Sequence, residues 1–358
     1  MALSTIGTNQ IASEAVTVPK VADQVLSSRN LIINGAMQVA QRGTSAVPVG
    51  NGTFIVDRFK AYKSNDGAYT IEQSTDAPDG FSTSLKGQVT TADTSIAAGQ
   101  YVYWPYYVEA QDLQHLSYGT SSAKTLTLSF WVKSSKTGVY TLSVYKPDTT
   151  SYMFTHEYTI SSANTWENKT ITISPTAGST SFITSSGGAI ANDNGAGLIL
   201  SWNLSFGSDF TGGTSNSWSS TTADYSTTNA VNWMDSTSNN FYLTGVQLEL
   251  GDTATPFEHR SYADELVRCQ RYYQINYATW YGVAQASGYF VSSNITYKPD
   301  LRATPAVAQT YFTSGSAGRF TSTAATNSTI NGTTIYSSPS SAGGNSGYIA
   351  TWSADAEL

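Results

Sequence analysis

Residues able to do chemistry are few in this chain and widely spaced. Its three histidines, His115, His156 and His259, lack paired-ligand spacing, and no Cys-X-X-Cys accompanies them, which argues against a zinc site. No Gly-X-Ser-X-Gly elbow, P-loop or Gly-X-Gly-X-X-Gly fingerprint occurs. Paired carboxylates meet in space rather than in sequence, but acids are scarce, and Asp66, Asp79, Asp148, Asp252 and Asp264 fall in turns or caps. The repeats of a parallel β-helix are also missing. The reading is a non-enzyme. Asn192-Asp193-Asn194-Gly195 carries hard oxygen donors of the kind calcium takes, although a loop with so few ligands is ordinarily a plain turn.

What remains is aromatic. An exposed Trp or Tyr offers a flat apolar face to sugar C–H groups, while Ser, Thr and Asn hydrogen-bond the hydroxyls. Two groups stand out. Trp104, Tyr106 and Tyr107 lie in the alternating run YVYWPYYVE, where core or subunit packing competes with binding. Trp218, Tyr225 and Trp233 are embedded in the long polar stretch from Ser208 to Asn240. Loops on a rigid scaffold are where binding residues tend to lie, so Trp218 and Trp233 are expected to be exposed there and to touch a glycan or a neighbouring protein.

The elements that must position these rings read as β throughout. Leu126, Leu128, Phe130 and Val132 alternate with polar neighbours, Lys136-Thr137-Gly138 turns the chain, and Val139 to Tyr145 alternates again; this predicts a hairpin. Further strands are expected at Met153–Ile160, Trp166–Ile173 and around Leu198 to Leu204. Pro105 places the aromatic run on a sheet edge or at a bulge. Phe241 to Leu250 alternates with a break at Gly245 that suits a bulge. The period then changes: Tyr262, Leu266, Cys269 and Tyr273 lie on one helical face, with Ser261 and Asp264 as a capping-box-like start. Asp264 is placed to pair with Arg268. Short candidate strands follow at Tyr289–Val291, Ala306–Tyr311, Ser328–Ile335 and Tyr348–Trp352. The expected architecture is all-β: a jelly-roll-type β-sandwich with a short connecting helix and a small C-terminal β domain. Its divisions are a leading arm over 1–29 that orders against another copy or a docking partner, a sandwich over 30–260, the helix over 261–276, and a tip over 277–358.

The 358 residues are enough for two domains with buried cores. Eighteen Lys and Arg face 25 Asp and Glu, a net charge of −7 without a basic cluster, which argues against nucleic acid. No apolar run is long enough to cross a bilayer. No secretory signal is expected in MALSTIGTNQIASEAVTVPK, so the product is expected to be made in a host cytoplasm and released. Cys269, alone, reads as a small buried hydrophobe. Asp57-Arg58 reads as a structural ion pair or turn clamp.

Four segments carry a family resemblance. NLIINGAMQVAQRGTS from Asn30, TLSFWVKSSKTGVYTLSV from Thr125, VQLELGDTATPFEHRSYADELVRCQRYYQ from Val246 and YKPDLRATPAV from Tyr297 resemble the opening strand, central hairpin, closing segment and C-terminal part of bacteriophage tail-fibre and related virion-appendage proteins. Leu301 stands where Met is usual. The resemblance spans about Asn30 to Val307 and implies a trimeric tail or capsid fibre of the virion. It further implies attachment to other virion proteins through the arm and binding to a host-surface glycan or receptor. A structural or decorating virion protein and a secreted carbohydrate-binding module are the competing readings.

Overall fold

A computed structural model describes residues 29–283, 289–314, 320–340 and 345–358; the leading arm, apart from Arg29, lies outside the described residues. From Val47 to Leu250 the alternating runs form β1 (Val47–Pro48), β2 (Asn51–Phe54), β3 (Lys60–Ser64), β4 (Ala68–Ser74), β5 (Ser84–Thr91), β6 (Tyr101–Glu109), β7 (Leu126–Ser134), β8 (Gly138–Lys146), β9 (Tyr152–Ile160), β10 (Glu167–Ile173), β11 (Ala196–Phe206), β12 (Ser217–Ser219) and β13 (Asn240–Leu250). They pair antiparallel into two sheets, ordered β1-β4-β5-β13-β7-β10 and β12-β9-β8-β11-β6-β3-β2. The inward side chains of both, from Ile71 and Leu85 to Trp202 and Leu248, form one continuous core. This is a jelly-roll-type β-sandwich.

Two strand expectations need correction. β7 and β8 do not form a hairpin: β7 pairs with β13 and β10, and β8 with β9 and β11. Each strand has its own apolar row, Leu126 to Val132 and Tyr140 to Val144, and both rows are buried in the same core. The turn between them therefore crosses from one sheet to the other, and the hairpin is β8–β9. β6 is likewise an interior strand, flanked by β11 and β3. Pro105 is tolerated because the ladder to β3 runs only from Ser64↔Tyr101 to Tyr62↔Tyr103, ending before the missing N–H is needed.

The opening and closing segments meet at one end of the sandwich. Asn30 Oδ1 accepts from the amides of Ile32 (2.9 Å) and Leu248 (3.1 Å), and its Nδ2 donates to the Val246 carbonyl (3.1 Å). Arg260 donates to the Asn30 and Ile32 carbonyls, and Asn34 N to Glu265 Oε2 at 2.6 Å. Gly35 passes so close to β13 that a Cβ there would sit 2.1 Å from the Val246 carbonyl oxygen. Gly245, at a φ of 61°, absorbs the register shift between Thr244 and Gln247.

After the sandwich, α1 (Tyr262–Gln270) starts at Ser261, whose side chain accepts from the Asp264 amide at 3.2 Å. The face it buries is Glu265 and Cys269, continued by Tyr272 and Tyr273, whereas Tyr262 is exposed. The stripe is rotated because Glu265 is drawn in by Arg260 and the Asn34 amide. Then come β14 (Tyr273–Val283), β15 (Val291–Thr296), β16 (Ala306–Ser314), β17 (Ala324–Thr326), β18 (Gly332–Ser337) and β19 (Asn345–Asp355). They make two three-stranded sheets, β14-β19-β16 and β15-β18-β17, around a separate small core that includes Tyr297, Leu301, Phe320, Tyr348 and Trp352.

Asp57 and Arg58 are structural, but not with each other. Arg58, fully buried, lies 3.4 Å from the Tyr272 ring centroid and 5.3 Å from that of Tyr106, donates to the Tyr107 carbonyl (2.7 Å), and pairs with Glu357. Asp57 accepts from Gln41 and lies 3.5 Å from Arg42, which also reaches Asp355 at 3.1 Å. On the far side, Arg271 forks onto Glu109 at 2.9 and 3.1 Å.

Glu357→Gln leaves the Arg58 charge buried without its counter-ion, so urea unfolding is expected to show a loss of about 3 kcal/mol. Glu72→Gln, which breaks the partly exposed pair with Lys86, is expected to cost less than about 1 kcal/mol. Burial, opposed by Arg42 and the Gln41 hydrogen bond, pushes the Asp57 carboxyl up from 3.8 to about 6. A folded value above the unfolded one makes folding favour the protonated acid. Its stabilisation is therefore fully present below pH 3.8 and is lost as the pH rises through about 6. Chemical denaturation of wild type and Asp57→Asn across this window is expected to show wild type losing stability relative to the variant as the pH rises.

Candidate functional site

Strand parity decides which rings can meet a ligand. In β6 the even residues Val102, Trp104, Tyr106 and Val108 point into the core. Tyr101, Tyr103 and Tyr107 stand on the opposite, outer face of the seven-stranded sheet and are half-buried. Register extends that face sideways: Tyr62 of β3 lies opposite Tyr103, and Asn203, Ser201 and Ile199 of β11 lie opposite Tyr103, Pro105 and Tyr107. Thr141, Ser143 and Tyr145 of β8 continue the row beyond β11.

The long stretch after β11 folds back over the β8–β9 end of this face. Asn203 Nδ2 donates to the Tyr225 carbonyl (2.6 Å), Thr141 to Ser226 Oγ (3.0 Å), and Thr227 and Asn229 to Glu157. The cover ends at Tyr225, whose ring centroid lies 5.5 Å from Phe206, stacked at 13°, and 5.8 Å from Tyr103. Tyr103 in turn stacks on Tyr62 at 5.3 Å and 10°. Tyr101 and Phe210 close the cluster edge-on, 5.7 Å apart. The result is a continuous half-exposed aromatic floor from Tyr62 to Tyr225, with Tyr107 beside it. Next to the floor Ser143, Ser201 and Asn203 are buried beneath this cover.

Electrostatically the floor is neutral. Burial, with neighbouring phenols adding to it, raises Tyr103, Tyr107 and Tyr225 above the usual tyrosine range, so their hydroxyls stay protonated at physiological pH. They are able to donate and accept hydrogen bonds at the floor's surface. One cation borders it: Lys60 Nζ lies 5.0 Å from the Tyr62 ring centroid and 5.7 Å from that of Tyr107.

Of the rings singled out from the sequence, Tyr107 and Tyr225 belong to this face. Trp104, Tyr106, Trp218 and Trp233 do not; they are 0, 1, 2 and 0% exposed. Each is held inside by packing or a hydrogen bond. Trp104 donates to the Tyr69 hydroxyl, Tyr106 accepts from the Ile33 amide, Trp218 donates to the Ser174 carbonyl, and Trp233 packs edge-on against Tyr69. The exposure expected of Trp218 and Trp233 from their polar surroundings does not hold, because these two indoles anchor the loop to the core. The sequence reading did not include Tyr62, Tyr101 and Tyr103; for the latter two the signal was the parity of YVYWPYYVE, whose even positions Val102, Trp104, Tyr106 and Val108 are the more apolar set. The Asn192–Gly195 turn receives amides and a guanidinium: Gly195 N donates to Asp193 Oδ1 (2.8 Å), and Arg302 and Asn194 exchange hydrogen bonds. Among the described residues no three His, Cys, Asp or Glu side chains gather as a metal site would need.

No family model matches this chain, and no curated protein does. Among solved structures it is similar to the enzymatically active domain of tailspike protein 4 of bacteriophage CBA120, at 13% identity and a TM-score of 0.30, over 62% of this chain and 22% of that one. The match thus spans about a fifth of the tailspike chain. A putative sugar-binding protein from Bacteroides thetaiotaomicron is similar at 11% identity and a TM-score of 0.35, over 62% of this chain and 100% of that one. A family 11 carbohydrate-binding module from Clostridium thermocellum, in complex with a mixed-linked tetrasaccharide, is similar at 11% and 0.28, over 61% and 99%.

Trp233→Ala is expected to cost about 3–5 kcal/mol of unfolding free energy, as for a large side chain removed from a core. Tyr62→Ala, on the open face, is expected to cost about 1 kcal/mol or less. Paired denaturation curves check the contrast, and equal losses would mean that Tyr62 is core as well.

Proposed function

We propose that this chain is a non-enzymatic glycan-binding protein of a virion, a tail or capsid fibre carried in three copies, which holds host-surface carbohydrate on the outer face of its seven-stranded sheet. The observation that carries the reading is the neutral aromatic floor of Tyr62, Tyr103, Tyr107 and Tyr225. Flat rings suit sugar C–H faces, and the protonated phenols suit hydroxyls. The virion setting is supported by the sequence resemblance, whose opening and closing segments are joined through Asn30, Arg260 and Glu265. Three copies suit such a site, because weak individual contacts gain effective concentration when mounted together.

Glycan arrays probed with the intact protein are expected to show retention that Tyr62→Ala plus Tyr107→Ala reduces at least about tenfold, each ring contributing about 1 kcal/mol. Unfolding midpoints should stay close to wild type. Retention that survives the double substitution would move the site elsewhere, and no retention on any host glycan would sink the reading.

A further inference from the structure

The two faces of the sheet β14-β19-β16 differ in a way the described residues do not account for. Its inner face, with Ala278, Tyr348, Ala350 and Trp352, packs in the small core. Its outer face carries Ile275, Tyr277, Thr279, Tyr281 and Val283 from β14, Ile349 and Thr351 from β19, and Tyr311 from β16. Tyr277, Thr351 and Tyr311 form one row across the three strands. Tyr277, Tyr281 and Tyr311 are 72, 77 and 56% exposed, and Ile275, Val283 and Ile349 are exposed beside them. A solvated sheet face of this size ordinarily alternates to charged residues. Here β14 and β16 contain no Lys, Arg, Asp or Glu at all, and in β19 there is only Asp355, taken up by Arg42.

We propose that this face is where the chain meets another copy of itself. The inference takes from the proposed function only its multi-copy assembly, and nothing from the glycan face. Three observations favour a second copy over other occupants. The face is uncharged in a protein of net charge −7, so a copy can approach it without burying charge, whereas an ionic partner would be left unpaired. At ~200 Å² per tyrosine and with the three aliphatic side chains, it offers on the order of 600 Å², near the ~800 Å² per partner of a stable interface. Finally, β14 and β16 are the two edges of their sheet, and neither has the lysines or prolines that ordinarily guard an edge. A groove of about 500 Å³ at the far end, lined by Thr279, Tyr281, Thr313 and Ile349 among others, gives side chains of the mate room to insert. The aliphatic share of the face, with no hydroxyl-binding role, argues against a sugar as the occupant.

The test is solution mass by light scattering on the full chain, wild type against Tyr277→Lys plus Ile349→Lys, with circular dichroism and an unfolding curve for each. Wild type is expected at a multiple of 38.3 kDa and the folded double variant at 38.3 kDa, with weaker retention on any array that holds wild type because multivalency is lost. A monomeric wild type, or a folded variant that keeps the wild-type mass, overturns the proposal. If the variant does not fold, hydrogen exchange of wild type at low and high concentration decides. Protection of 275–283 and 349–353 must rise with concentration. Protection independent of concentration but lost on deleting residues 1–28 would make that segment the occupant and would equally overturn it. A monomer whose glycan retention depends on Tyr277 and Tyr281 would make the face a sugar site and overturn it too. Loss of glycan retention through Tyr62 and Tyr107 is independent of all these outcomes.

Discussion

The buried guanidinium of Arg58 is the constraint on which the two halves of the structure depend. Its backbone sits in the left-handed region at a φ of 74°, which costs an ordinary residue about 1 kcal/mol. A desolvated cation costs several times more unless it is paired and stacked. Tyr106 and Tyr272 supply the stacking, the Tyr107 carbonyl a hydrogen bond, and Glu357 the opposite charge. Those partners come from β6, from the turn after α1 and from the segment after β19. The cation is thus satisfied only when sandwich, helix and C-terminal sheets are all in place. The Arg271–Glu109 fork ties the same elements on the other side.

This junction also shapes the candidate site. Tyr106 and Tyr107 are neighbours in β6, one facing Arg58 and the core, the other the aromatic floor. The strand that builds the floor is therefore the strand the junction pins. Floor rings do not need to be fixed by a ligand; they are fixed beforehand by what lies beneath them, which lowers the ordering cost of binding.

Much of the fold was legible in the sequence because period-2 alternation reflects a one-sided core. The strands at Tyr152–Ile160 and Glu167–Ile173, the bulge at Gly245 and the cap at Ser261 follow from local chemistry alone. What was not legible is pairing. β7 and β8 alternate as cleanly as any hairpin, and only the position of the facing sheet reveals that the turn crosses the core. Exposure of the aromatics failed for the same reason. Trp218 and Trp233 sit among polar residues, yet an indole with a pocket to fill anchors a polar loop as well as it binds a sugar. Grouping Trp104, Tyr106 and Tyr107 overlooked the parity of YVYWPYYVE, in which Val102 and Trp104 mark the inward phase and Tyr101, Tyr103 and Tyr107 the outward one. β14 escaped notice since its outward row, Ile275, Tyr277, Thr279, Tyr281 and Val283, is more apolar than the inward Gln274, Asn276, Ala278, Trp280 and Gly282, which inverts the contrast that marks a one-sided core.

Arg58 and Glu357 are separated by 299 residues. A contact of that span closes only after the intervening chain has folded, since loop entropy must be spent before it is rewarded. Interactions formed that late act mainly on the rate of leaving the native state rather than the rate of reaching it. The ion pair thus works less as a guide for folding than as a clasp on the finished molecule. The lifetime of the folded chain is then set by how seldom that clasp opens.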